Sequence, residues 1–184
     1  MDIKLFGDKF VAPNSTEDLA SRIFACSVVG ANELKRIAEN PVSRPTWLSI
    51  VFEFVFFYVV LVKGCSWAHL SPEKQETRTE ELTNVLIEAV VDYVFEGGAN
   101  QTRVEPLKAE LAARMEEYGK FGLIARESMS EKPEGTALWA FCVKAAALAG
   151  SPGNLVCIMA AHAHVYDSMK LIGVATPDST GLPT

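Results

Sequence analysis

Glu81, Glu88, Asp92 and Glu96 are the residues of this chain whose spacing best allows joint chemistry. At about 100° per residue they fall in one narrow stripe of a helix. Such a stripe can hold a divalent cation when a neighbouring helix adds a further ligand, as in carboxylate-bridged bundles. The further ligand would be Glu53 or one of the histidines, so the candidate set is Glu53, Glu88, Asp92, His162 and His164. The bland alternative is a solvated edge on a helix otherwise buried. The absence of a Glu-x-x-His pair favours that alternative.

Glu53 is the single charge in the run Trp47–Val62, WLSIVFEFVFFYVVLV. Thr46 and Ser49 share its helical face, so it either reaches the surface with them or pairs with an arginine. Buried, it would have a raised pKa or a cation holding it charged. Buried carboxylates often mark functional sites, which makes Glu53 the first residue to mutate.

The histidines are His69, His162 and His164. On a helix, His162 and His164 point about 200° apart, so one ion cannot take both. His162 shares a face with Tyr166. His164 can reach Asp167 or Ser168, and a partly exposed polar contact is expected there. His69 lies near the end of the second helix, where a positive charge suits the helix dipole.

Nucleophile and phosphate motifs (GxSxG, the Walker loop, GxGxxG) are missing. Cys65 has His69 one turn away, but its apolar surroundings should keep the thiol protonated and quiet.

These residues must be positioned by helices. The run Trp47–Val62 is shorter than the roughly 20 residues of a membrane span, and Glu53 would be costly in lipid. Extended across Lys63 to Thr46–Leu70 it is long enough. The expectation is a core helix of a soluble bundle, apolar nearly all round because neighbours surround it. No signal peptide or basic flank is visible at the N-terminus, and a membrane anchor is the last of the readings.

The other boundaries follow from caps. An extended arm is expected over 1–14, with Phe6 and Phe10 docking on the core. Helix one should run from Ser15 or Thr16 to about Glu39, stopped by Asn40-Pro41. Helix two should open at Ser43 or Arg44 and end near Leu70. Ser71-Pro72-Glu73 should open helix three, capped by Gly97-Gly98. Thr102 and Glu105 resemble a capping box for helix four, expected to reach Met129 with a kink or close crossing at Gly119 and Gly122. Helix five should cover Thr136–Ala149, and Ser151-Pro152 should open helix six, reaching about Gly173. A mobile or loosely docked tail over 175–184 completes the chain. The expected fold is all-α: a single six-helix bundle-like domain over 15–174, with a buried, aromatic-rich second helix.

The chain's 184 residues fit one domain, and a hydrophobic fraction of 49% excludes general disorder. A net charge of −6 disfavours nucleic acid as a partner. The cysteines Cys26, Cys65, Cys142 and Cys157 form no CxxC pair and are expected as buried free thiols in a reducing cytoplasm. The sequons at Asn14 and Asn100 are expected to be chance matches.

Three functional readings precede the anchor. The first is interaction, as a homo-oligomer, most simply a dimer, through helix two or the alanine-rich last two helices. The second is a metal-binding or enzymatic bundle using the carboxylate/histidine set. The third is a carrier of an apolar small molecule. No cofactor is assigned.

Overall fold

A computed structural model describes residues 13–94, 101–121, 124 and 134–174. Among these the chain forms six α-helices and no strand: α1 (Thr16–Ile37), α2 (Arg44–Leu61), α3 (Pro72–Val94), α4 (Gln101–Gly119), α5 (Ala137–Leu148) and α6 (Leu155–Leu171). The fold is therefore all-α and bundle-like, as the periodicity predicts.

α2 is the centre of the molecule. Its sides pack on α1, α3, α4 and α5, which is why it is apolar all round. Phe54, Phe57 and Tyr58 are fully buried on it. Phe57 stacks on Phe141 of α5 at 4.4 Å between ring centroids, and Phe54 meets the same ring edge-on at 4.9 Å. The segment Arg44–Ser66 has the length and composition of a membrane span, but 61% of its most apolar window is buried inside the protein. That burial is what a core helix of a bundle shows.

Caps explain most boundaries. Ser15 accepts from the Asp18 N–H, Ser43 from that of Thr46 and Thr136 from that of Trp139. Gly150 and Gly173 carry positive φ of 75° and 74°. After Gly150, the Ser151 N–H donates to the Ala146 carbonyl and that of Gly150 to Ala147. After Gly173 the pattern recurs, from Val174 to Met169 and from Gly173 to Lys170. Both are Schellman stops, which need glycine for its left-handed backbone.

Four expected boundaries are corrected. α2 does not continue to Leu70: it widens into a π-helical turn, Val62–Ser66, closed by the Trp67 N–H on the Val62 carbonyl at 3.1 Å. α4 does not continue through Gly119 but ends there, the Phe121 N–H tightening onto the Tyr118 carbonyl. α1 stops at Ile37, two residues short of Glu39. α6 opens at Leu155 rather than at Ser151-Pro152, because Asn154 accepts from both Val156 and Cys157 N–H. Ser151 is instead buried and accepts from the Glu39 N–H at 3.2 Å. The docking of Phe6 and Phe10, the Gly97-Gly98 cap, Met129 and the tail lie outside the described residues.

Candidate functional site

Pro45 and Ser49 are exposed at the start of α2, and Glu53, one turn further on, is only 2% exposed. α4 and α5 close over it. Arg114 Nε donates to Glu53 Oε2 at 3.0 Å, and the Tyr118 hydroxyl donates to Oε1. Lys144 Nζ stands 3.8 Å from Oε1 and 2.6 Å from Glu117 Oε2. Arg114 also reaches Glu110 at 2.6 Å and Glu117 at 3.3 Å. Of the two alternatives for Glu53, reaching the surface is overturned by its burial, and pairing with an arginine is what the structure has.

The electrostatics favour the charged forms of Arg114 and Glu117. Burial works against the Arg114 cation, but its hydrogen bond to Glu53 and the charges of Glu53, Glu110 and Glu117 outweigh it and push its pKa up. The Lys144 hydrogen bond holds the Glu117 carboxyl below its ordinary value. Burial, then the Glu53 charge, push the Tyr118 phenol well above the usual tyrosine range. Tyr118 is thus a permanent hydrogen-bond donor. Glu53 was visible as a lone charge, but Arg114, Tyr118 and Lys144 were not identified as its partners. The available signal was the i, i+4 spacing of Arg114 and Tyr118, which puts both on one face of α4.

The proposed carboxylate/histidine set is not brought together. Glu88 and Asp92 lie on the exposed side of α3. Glu53 is turned into α4 and α5, and His164 into α1. Among the described residues no three His, Cys, Asp or Glu side chains are close enough to hold a metal ion.

His164 is buried rather than partly exposed. Its ring occupies a notch at Gly30, where a Cβ would lie 2.6 Å from His164 Cδ2 and 2.7 Å from Phe54 Cζ. Nε2 is 2.8 Å from the Cys26 carbonyl oxygen and 3.3 Å from Ser168 Oγ. Nδ1 is 3.2 Å from Glu33 Oε2. Ser168, His164 and Glu33 therefore follow the hydroxyl–imidazole–carboxylate order of a hydrolase triad. The order does not make a nucleophile here. Ser168 is 2% exposed, so a substrate carbonyl has no approach, and Nε2 already faces the Cys26 carbonyl.

His162 stacks obliquely on Tyr166 at 4.9 Å, as their shared face predicted. Its Nδ1 is buried without a hydrogen bond, and burial lowers its pKa. Cys26, Cys142 and Cys157 are buried free thiols, but Cys65 is exposed, on the π turn. Desolvation raises the Cys65 pKa, opposite to the shift of an activated nucleophile.

A cleft of about 610 Å³ opens beneath the π turn. Val60, Met115, Tyr118, Phe121 and Ile124 form its apolar walls, and Lys63 and Gln75 its polar points. Gly64 lets the turn approach its far side: a Cβ there would come within 2.1 Å of Ile124 Cδ1. Tyr118 thus belongs to two structures, one wall of the cleft and the ion-pair cluster behind it.

No family model, no curated protein and no solved structure matches this chain. The reading of the site rests on its own chemistry. The Glu53 cluster is internally satisfied: its carboxylate has a phenol, a guanidinium and an ammonium, and those cations have Glu117 and Glu110. It fixes α2, α4 and α5 against one another. The cleft, in contrast, offers apolar surface and a cation not used in any ion pair among the described residues, Lys63.

Proposed function

We propose that the protein binds an apolar small molecule with one acidic group in the cleft beneath the π turn. The observation that carries this reading is the lining: apolar walls with Lys63 as the single charged side chain among the described residues. The volume falls within the range of about 300–1,000 Å³ usual for small-molecule sites. π-helical turns recur at functional sites, and this one carries Lys63 and Gly64 to the cleft. Glu53 and Arg114 hold Tyr118 from behind, so one wall is rigid before a ligand arrives. The ligand's apolar body would lie on Met115, Phe121 and Ile124, with its carboxylate at Lys63. The free thiols fit a reducing cytoplasm as the compartment.

Native mass spectrometry of untagged protein, followed by organic extraction, tests this directly. Added mass that extracts as an aliphatic or aromatic acid supports it. An empty extract, with no thermal shift on adding medium-chain carboxylic acids, removes it.

A second reading rests on a different face. Leu155 and Val156 open α6 with 62% and 68% exposure, and Val143 of α5 is also exposed. The burial of α2 moves the homo-oligomer reading away from that helix and onto these two. Sedimentation of wild type and of the Leu155→Glu, Val156→Glu double variant tests it: a dimer that becomes monomeric supports it, and a wild-type monomer refutes it.

A further inference from the structure

We propose that the ligand of the cleft beneath the π turn is a single-chain amphiphile with a zwitterionic head group, its anionic group next to the chain and its cationic group beyond it. This inference rests on the acidic-ligand reading above and adds the rest of the head group. The observation behind it is a second cavity. A hollow of about 310 Å³ lies between α3 and α4, and Lys63 and Met115 line both it and the cleft. The two cavities therefore meet at these side chains as one groove.

The helices give the groove a direction. Along α3 the lining passes from Gln75 in the cleft to Glu76, Thr79 and Glu80 in the second cavity. Along α4 it passes from Tyr118, through the shared Met115, to Leu111 and Lys108. The lining turns from apolar to charged in the same sense. An apolar chain belongs in the cleft, and a head group belongs in the second cavity.

The charges are ordered along that direction. Lys63 stands at the junction and enters no ion pair among the described residues. Beyond it, Glu76 and Glu80 also enter none. They stand one turn apart on α3, where like charges at i, i+4 repel, and a ligand cation relieves that repulsion. Lys108, from the facing helix, is already shared with Glu105 at 3.7 Å. Thr79 is buried, and its hydroxyl donates to the Gln75 carbonyl at 2.6 Å. What it can offer a ligand is lone pairs, which also suit a cation. A ligand carrying an anion alone would satisfy Lys63 but bring its charge toward two carboxylates. A cation placed beyond the anion satisfies Lys63, Glu76 and Glu80 in order, so the groove selects by the sequence of charges along the ligand.

Isothermal titration calorimetry, below the micelle concentration of each ligand, compares dodecylphosphocholine with dodecyl sulfobetaine. Both carry the same chain and both charges, but the sulfobetaine has its ammonium next to the chain and its anion outside. Dodecanoate is titrated alongside as an acid with no cation. The expected result is phosphocholine binding at least about tenfold tighter than sulfobetaine. Glu76 and Glu80 are exposed, so the Glu76→Gln, Glu80→Gln double variant should fold normally. It should lose the preference for phosphocholine while binding dodecanoate as tightly as wild type or tighter. Dodecanoate binding without a preference for phosphocholine over sulfobetaine overturns this inference alone. A preference that survives the double variant also overturns it. No binding of any of the three ligands overturns it together with the acidic-ligand reading.

Discussion

Tyr118, Arg114 and Lys144 show how one buried carboxylate is kept in a helical core. Removing a partner from a buried charge leaves it uncompensated, which costs several kcal/mol when burial is complete. Arg114 is 22% exposed and Lys144 remains nearby, so Arg114→Ala should cost about 2–3 kcal/mol in urea denaturation. Tyr118→Phe removes one hydrogen bond to Glu53 and should cost about 1–3 kcal/mol. The double variant should lose less than the sum, because both act on one carboxylate. Additive losses would show that the cluster is not a unit. Tyr58 should behave in the opposite way. Its hydroxyl is fully buried without a hydrogen bond, although Ser168 lies close by, so Tyr58→Phe should leave stability unchanged or raise it by about 1 kcal/mol. Glu53 was legible in the sequence because it stands alone in an apolar run. Its partners were not, because Arg114 sits among Glu110, Glu116 and Glu117 and reads there as one member of a solvated charged face.

At the scale of elements, capping chemistry is local and carries most of the boundaries. Ser15, Ser43 and Thr136 cap where the sequence places such residues, and Gly150 stops α5 as expected. The failures have tertiary causes. Ser151 could cap a helix, but it is buried against Glu39, and Asn154 takes the role. The π turn leaves no mark in the apolar pattern, since the run before it is apolar on nearly every side. His164 was expected to make a partly exposed polar contact, because only its own helix neighbours, Asp167 and Ser168, could be read as partners. Its actual partners, Glu33 and the Cys26 carbonyl, come from α1 through the gap at Gly30. Gly30→Ala should therefore cost about 1–3 kcal/mol, despite alanine's better helix propensity. His162 on α6 supplies a pH prediction. Burial holds its folded pKa below the ordinary imidazole value of 6.5, so the unfolded chain binds the extra proton. The stability it contributes is complete above that value and is lost as pH falls through it toward the folded pKa. His162→Gln should flatten this acid limb in denaturant titrations. An unchanged acid limb would show that His162 is not the group responsible.

Among the described residues the other helices pack around α2, with a cluster of ion pairs at the buried Glu53 and an apolar cleft beneath the π turn. The all-α class and the central place of α2 were legible from a sixteen-residue run that had to be surrounded. The cleft was not legible, because it forms where α2, α3 and α4 meet and depends on where α2 and α4 stop. The most direct test of the proposed function is a fluorescence titration with dansylated undecanoic acid, run beside its neutral methyl ester and repeated on Lys63→Glu. The account predicts saturable, one-to-one binding of the acid with a blue shift. It also predicts affinity at least about tenfold weaker for the ester and for the variant, as expected when one charge pair is lost in a partly desolvated site. Equal binding of acid and ester, unaffected at Lys63, would contradict the acidic-ligand assignment. No saturable binding of either would contradict the cleft as a binding site.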